Sequence, residues 1–386
     1  MKNNEINQRK TKILATLGPS SNTIKKIIGL SKAGANAFRL NCSHLNEEDL
    51  KDYVRKIRRA EKIINKPIGI LVDLQGPKIR IGTVKNNQNY LKEGSLFLFD
   101  LKKDIGDHRR VTLPHKKIFS SIKKGHLILL DDGKIHLKVT SVKVNEIRTK
   151  VLQGGYLKSN KGVNLPQTNI KTSALSNLDK KFASMAVQEG VDWIALSFVQ
   201  KPNDIKELRK ICSNKASIMA KIEKPSALDH IDQITSLADG IMIARGDLGV
   251  ELPIESVPGW QKKIIRVARV KGKPVIVSTQ MLESMTSSLT PTRAEVSDVA
   301  NAVFEGADAI MLSAESASGS YPVETVSMMH KIAFSTENEK NYNNILANQI
   351  EQTPNTTPDA IATAAKTLAD ELVSLFLGIK NWKYPS

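Results

Sequence analysis

The sequence predicts an α/β chain closed into a barrel of eight parallel strands, and three observations lead there. Eight short apolar runs have the length and composition of buried strands: 12–18, 37–41, 69–74, 193–198, 217–223, 240–245, 274–280 and 309–315. Helical spacing separates most of them, at 23–33, 47–64, 179–189, 203–211, 227–237, 255–270 and 293–305, and a further helix, 322–337, follows the last. Nearly every run stops at polar or charged residues, where a parallel α/β fold places its functional groups. A doubly wound open sheet shares the alternation. Eight repeats favour the TIM (β/α)8 barrel, whose usual size is about 250 residues.

The stretch 218–249, IMAKIEKPSALDHIDQITSLADGIMIARGDLG, shows the unit most clearly. One apolar run ends at Lys221 and Glu223, the next at Arg245 and Asp247. Two carboxylates at adjacent strand ends form a hard oxygen pair suited to Mg²⁺. Lys221 beside them suits an anionic substrate. Gly246 precedes a short helix whose backbone N–H groups can meet an anion.

The connection between the third and fourth runs breaks the rhythm. Its first part, 90–163, carries hairpin signals: YLKEGSLFLFD, the Asp132-Gly133 turn in LILLDDGKIHLKV, and the Gly154-Gly155 pair. This predicts a small all-β domain inserted over the active-site face as a lid. The predicted domains are therefore a barrel (1–82 and 164–340), an inserted β-barrel lid (83–163), and a linker with the truncated start of a C-terminal α/β domain (341–386).

Composition limits the function classes. The 386 residues are 40% hydrophobic, with no apolar run near the roughly 20 residues of a membrane span. The first residues lack the apolar core of a secretory signal. Cys42 and Cys212 are the only cysteines, too few for a disulfide framework or a zinc motif. A cytoplasmic location is expected. The net charge of +18 suits an anionic small substrate better than nucleic acid, because aromatics are only 5% and no basic-aromatic interleaving occurs. Residues 83–160 hold 16 Lys or Arg against 7 Asp or Glu, a net +9, so half of the excess lies in the insertion.

Collected from the strand ends, the candidate site groups are Arg39, Asn41, Ser43, Asp73, Lys78, Arg80, Lys221, Glu223, Asp247, Thr279, Ser313 and Glu315. Taken singly, each is more often a cap or surface residue. Together they offer phosphate and carboxylate clamps, a Mg²⁺ carboxylate pair, and hydroxyls for proton relay. Phosphoryl transfer needs such a set, since it relies on positioning and electrostatics.

The motifs TKILATLGPSS, AFRLNCSH, LVDLQGPKIRIG, KGVNLP, AKIEK, IMIARGDLGVELP, STQMLESM, PTRAEVSDVANAVFEGADAIMLSAES and GSYPVE are similar to those of pyruvate kinases. They run from Thr11 to about Glu337, most of the chain. The resemblance implies phosphoryl transfer from phosphoenolpyruvate to ADP, giving pyruvate and ATP, with Mg²⁺ or Mn²⁺ as cofactor. It implies catalytic roles for Lys221, Thr279, Arg39 and Ser313. Glu223 and Asp247 would hold the divalent ion. The backbone of Ala244, Arg245, Gly246 and Asp247, with Arg39, Lys221 and Thr279, would bind substrate. Pro19, Asn41, His44, Arg80 and Lys161 would meet the nucleotide. Asn41, Ser43, Asp73 and the Leu74 carbonyl would surround a monovalent cation.

Departures from the family pattern carry expectations of their own. Where the family often has glutamate after Gly-Pro, this chain has Lys78, whose ammonium can stand where K⁺ would sit; K⁺ dependence is in doubt. The usual GET after the eighth strand reads Ala314-Glu315-Ser316. The family is homotetrameric through a C-terminal domain of which this chain holds only a beginning, so reduced stability, association and no sugar-phosphate activation are expected. Two other readings have weaker support. A Mg²⁺-dependent pyruvate-handling lyase would lack the inserted domain and the GPKIR run. A catalytically impaired product of a truncated gene, or a nucleic-acid binder, rests on the short C-terminus and the charge alone.

Overall fold

The computed structural model describes residues 9–168, 173–342, 344, 345 and seven positions between 357 and 368. The chain divides into two compact units, Met1–Glu339 and Lys340–Ser386. The expected linker and C-terminal segment, 341–386, lies for the most part outside the described residues.

The strands follow in chain order. They begin with β1 (Lys12–Thr16), β2 (Ala37–Asn41) and β3 (Gly69–Asp73). The insertion contributes β4 (Gln88–Leu91), β5 (Leu96–Asp100), β6 (Arg110–Thr112), β7 (Leu127–Leu130), β8 (Ile135–Lys143), β9 (Glu146–Gln153), β10 (Gly155–Lys158) and β11 (Val163–Asn164). The series ends with β12 (Trp193–Leu196), β13 (Ser217–Ile222), β14 (Gly240–Ala244), β15 (Val275–Ser278) and β16 (Ala309–Leu312). Eight of these close a parallel barrel in the order β1-β16-β15-β14-β13-β12-β3-β2. Each barrel strand ends between one and three residues before the predicted limit, except β2, which matches it. The polar residues that close the apolar runs therefore stand at the barrel mouth, Asn41, Asp73 and Lys221 at the ends of their strands and Ser43, Glu223 and Thr279 in the segments just beyond.

Inside the barrel, Leu14, Leu71, Ala195, Met219, Met242, Ile276 and Met311 pack into one buried cluster. Three unbranched methionines fill the tapering interior, where their flexible thioethers adapt to irregular gaps. Polar side chains start the outer helices. Thr23, Asn46, Ser176 and Thr292 each accept a hydrogen bond from a first-turn backbone N–H, satisfying a donor that no helical carbonyl reaches. The predicted helix 227–237 divides into Pro225–Leu228 and Ile231–Leu237. The His230 N–H closes a tight turn on the Ala227 carbonyl at 3.2 Å, which ends the first piece after one turn.

The insertion has its own core, including Phe97, Phe99, Ile128, Leu130, Leu137 and Ile147. It forms a six-stranded sheet, β11-β7-β8-β9-β5-β6, and a two-stranded sheet, β10-β4. The Asp132-Gly133 hairpin is present, with Asp131, Asp132 and Gly133 all at positive φ, the geometry its tight turn requires. A short helix, Lys116–Ser121, interrupts the β pattern where none was expected. The Gly154-Gly155 pair also differs from expectation. It does not close a hairpin; it carries the chain from β9 in the large sheet to β10 in the small one. A Cβ at Gly154 would lie 2.3 Å from the Leu91 carbonyl oxygen and 3.1 Å from the Glu93 nitrogen, both backbone atoms. The crossing requires glycine.

Gly154→Ala is therefore expected to cost about 1–3 kcal/mol through overpacking. Urea denaturation compared with the parent chain measures it, and an unchanged midpoint would show that the strands separate freely at this point.

Candidate active site

Register sets the site. In the barrel, β13 lies beside β12, β12 beside β3, and β3 beside β2. Asp73 stands opposite both Asn41 on β2 and Ala195 on β12, while Leu196 stands opposite Ala220 on β13. The next residues along, Ser197 and Lys221, therefore reach the same level of the barrel mouth as Asp73.

Four charged side chains meet there. Arg39 Nε donates to Asp73 Oδ2 at 2.7 Å and Arg39 Nη2 lies 2.6 Å from the same oxygen. Lys221 Nζ lies 3.1 Å from Asp73 Oδ1 and 2.8 Å from Glu223 Oε1, and donates to Ser197 Oγ at 2.8 Å. The Phe198 N–H donates to the second Glu223 oxygen at 2.8 Å. Asp73 and Glu223 are each 1% exposed and Lys221 is 8% exposed. Two cations and two carboxylates are thus sealed together, which is how charge survives burial.

Their titration follows the packing. Burial acts to raise the Asp73 carboxyl, but the charges of Lys221 and Arg39 prevail and hold it below the ordinary carboxylate range. Burial acts to lower the Lys221 ammonium, yet Asp73 and Glu223 together push it above the usual lysine value. Glu223 moves up, first through burial and further through the negative charge of Asp247, against the pull of Lys221. Lys221 is therefore firmly cationic. Two carboxylates repel across a gap that a divalent cation would relieve.

The strand ends at β14, β15 and β16 form a second, connected group. Helix Arg245–Glu251 begins directly where β14 stops. Thr279 has φ +71°, a left-handed conformation rarely taken by a β-branched residue. Two bonds hold it: Gly246 N–H donates to Thr279 Oγ1 at 2.7 Å, and Arg245 Nη2 donates to the Thr279 carbonyl at 2.8 Å. Thr279 Oγ1 in turn donates to the Ser278 carbonyl at 2.6 Å. The Arg245 side chain grips Asp298 through two bonds of 2.6 and 2.7 Å, so its guanidinium is committed to a partner within the chain. Ser313 N–H donates to Glu315 Oε2 at 2.7 Å. Glu315 is buried, which raises its carboxyl, and it also accepts from the Leu282 N–H at 3.3 Å. It braces the loops after β15 and β16.

The remaining expected residues lie around the mouth. Pro19 is exposed, in a loop pinned by the bond from Ser20 N–H to the Ala317 carbonyl. Asn41 accepts from the Ser43 N–H at 3.1 Å, and exposed His44 donates its N–H to the Asn41 carbonyl. Arg80 donates to the Asn160 carbonyl at 3.0 Å, and Lys161 pairs with Asp131 at 2.7 Å, so both face the insertion. The Leu74 carbonyl accepts from Ser197 Oγ at 2.7 Å. Lys78 does not join Asp73, whose cationic partners are Arg39 and Lys221. It lies against Gly162 and lines a cavity of about 270 Å³ with Asp132 and Asp247.

Two partners escaped the reading of the sequence. Ser197 bridges Lys221 to the Leu74 carbonyl, and it is a polar residue where a strand stops, the signal that found the others. Asp298 holds Arg245 from a helix far along the chain, and only the fold shows that pairing.

A buried cationic lysine between carboxylates, at the C-terminal mouth of a parallel barrel under an inserted β-domain, defines an enzyme that handles anionic substrates. The comparisons with known proteins specify which. Residues 8–326 match the family model described as pyruvate kinase, barrel domain. The pyruvate kinase of Methylorubrum extorquens is 50% identical over 364 residues, 94% of this chain and 76% of that protein. That of Clostridium perfringens is 41% identical, covering 95% of this chain and 78% of its own length. A crystal structure of a pyruvate kinase from Cryptosporidium parvum superposes with a TM-score of 0.91 at 34% identity, covering 96% of this chain and 78% of that one. The chain belongs to the pyruvate kinase family, and so among the phosphotransferases.

Asp298→Ala is expected to cost about 1.5–3 kcal/mol, since a partly buried guanidinium loses its charged partner. Denaturant midpoints at neutral pH measure the change; a parent-like midpoint would mean that the loop carbonyls alone hold Arg245.

Proposed function

We propose that this chain transfers the phosphoryl group of phosphoenolpyruvate to ADP, releasing pyruvate and ATP. The observation that carries the reading is the Lys221 ammonium, held between Asp73, Ser197 and Glu223. A fixed cation at that point stabilises the charge on a phosphoryl group in flight without reorganising as the reaction proceeds.

The donor set fits Mg²⁺ or Mn²⁺. Among the described residues no group of three or more His, Cys, Asp or Glu side chains gathers as a metal cage, and Mg²⁺ commonly takes one or two carboxylates with water and substrate oxygens completing its shell. Glu223 and Asp247 would supply those carboxylates; Glu223 is raised first by burial and further by the charge of Asp247, which a divalent ion would offset. When bound, the ion neutralises charge on the phosphoryl and carboxylate oxygens of the substrate. Arg39 contributes positive charge on the β2 side. An incoming carboxylate would replace the Thr279 hydroxyl as acceptor of the Gly246 N–H.

In the transfer, the bond from phosphorus to the enol oxygen breaks as a bond to the ADP terminal oxygen forms. The enolate left behind takes a proton at its methylene carbon. We assign that delivery to the hydroxyls of Thr279 and Ser313. Pro19, Asn41, His44, Arg80 and Lys161 are assigned to the nucleotide, with the basic insertion closing over it. The monovalent-cation site is assigned to Asn41, Ser43, Asp73 and the Leu74 carbonyl, and titrating activity with KCl tests whether K⁺ is needed beside Lys78. Neither the lyase nor the nucleic-acid reading draws support from the comparisons. Among the described residues no helix is long and apolar enough to cross a membrane.

Lys221→Met is expected to lower kcat by two or more orders of magnitude, about 3 kcal/mol or more of lost transition-state stabilisation, with a far smaller change in KM. An assay coupling pyruvate to NADH oxidation reads both, and near-normal kcat would remove Lys221 from the chemistry. Glu223→Gln and Asp247→Asn are each expected to shift the Mg²⁺ activation curve to higher concentration, because each loses an anionic ligand. Two parent-like curves would make these carboxylates structural.

A further inference from the structure

Beyond the reacting centre, one buried carboxylate joins three segments that the reaction needs in register. Glu251 ends the short helix that opens with Arg245 and carries Asp247. It is 5% exposed. Its Oε1 accepts from Asn164 Nδ2 at 2.9 Å and pairs with the ammonium of Lys224. Its Oε2 is buried with no hydrogen-bond partner, and the residue lines the same cavity of about 270 Å³ as Asp247.

Glu251 and its two partners sit at telling positions. Asn164 is the last residue of β11, where the chain leaves the insertion and returns to the barrel. Lys224 directly follows Glu223 in the loop after β13. Glu251 lies four residues after Asp247, one helical turn away. The insertion also approaches this helix a second time: a Cβ on Gly133, in the β7–β8 hairpin, would lie 3.6 Å from Val250. One carboxylate thus ties the return limb of the inserted domain to the loop and the helix that carry the metal-side carboxylates.

We infer that Glu251 is a positioning residue, which fixes the return limb of the insertion and sets the spacing of Glu223 and Asp247 for a divalent ion. It acts through Lys224 and Asn164 and touches neither substrate nor metal. A purely structural carboxylate with a neutral or water-satisfied role would leave metal affinity alone. Outer residues that orient ligands commonly change metal affinity by 10–100-fold when removed. The divalent part of the inference rests on the proposed function; the tie to the inserted domain does not.

The test uses the full chain and its Glu251→Ala, Glu251→Gln and Asn164→Leu variants. Mn²⁺ binding is followed by calorimetry without substrates, amide exchange is followed over 163–168 and 245–251, and thermal melts confirm folding. Glu251→Ala is expected to weaken Mn²⁺ binding about 10-fold and to speed exchange in both segments. Glu251→Gln, which keeps the shape and an acceptor for Asn164, should recover the exchange protection but only part of the affinity. Asn164→Leu should speed exchange at 163–168 with a smaller change in Mn²⁺ binding. Parent-like Mn²⁺ binding and parent-like exchange in both Glu251 variants would overturn the inference. The outcome also separates the two claims. A parent chain that binds Mn²⁺ but forms no pyruvate from phosphoenolpyruvate and ADP would sink the proposed function. The positioning role would then stand or fall on the binding and exchange data alone.

Discussion

The site depends on a balance of buried charge. Arg39, Asp73, Lys221 and Glu223 bring two positive and two negative groups together at the mouth of the barrel, largely shielded from water. No one of them is tolerable alone in that setting, because an unpaired buried ion carries a desolvation cost of several kcal/mol. Their mutual attraction keeps Lys221 charged and Asp73 ionised. A lysine so held is useful to catalysis because it is already oriented before an anion arrives. The same dependence makes the cluster vulnerable: removing any member leaves its neighbours uncompensated.

The barrel makes this balance possible by register more than by local sequence. Asp73 and Lys221 lie on β3 and β13 and Ser197 directly follows β12, segments separated by an entire inserted domain and two helices. They reach one level because β3, β12 and β13 run parallel with matched pairing. The methionine- and leucine-filled interior holds the strands at that spacing. The rim carries backbone strain, where Phe198, Thr279 and Gln280 take positive φ just past the strands. There the backbone bends sharply to turn hydroxyls and N–H groups over the mouth, and Arg245 with Asp298 clamps the bend from below.

Much of this was legible in the chain. Strand positions, most helices and the functional groups at strand ends follow from runs of apolar residues closed by charge, since a parallel strand buried on both faces must be apolar until it reaches solvent. The sheets of the insertion were visible through the Asp132-Gly133 turn. What was not legible depended on long-range contact. The Gly154-Gly155 pair reads as a turn locally, and only the approach of Leu91 shows it to be a crossing between sheets. Lys78 looked free to reach Asp73, yet Lys221 and Arg39 already occupy that carboxylate. The pairing of Arg245 with Asp298, 53 residues away, has no local signal in the chain.

A double-mutant cycle on Asp73→Asn and Lys221→Met tests the charge balance most directly, with stability read from denaturant unfolding. If the buried charges compensate one another, each single change costs about 3–5 kcal/mol, and the double change costs less than their sum by about 0.5–3 kcal/mol. Losses that add to within about 0.5 kcal/mol would show that Asp73 and Lys221 are held independently, and the account of a mutually sustained cluster would be wrong.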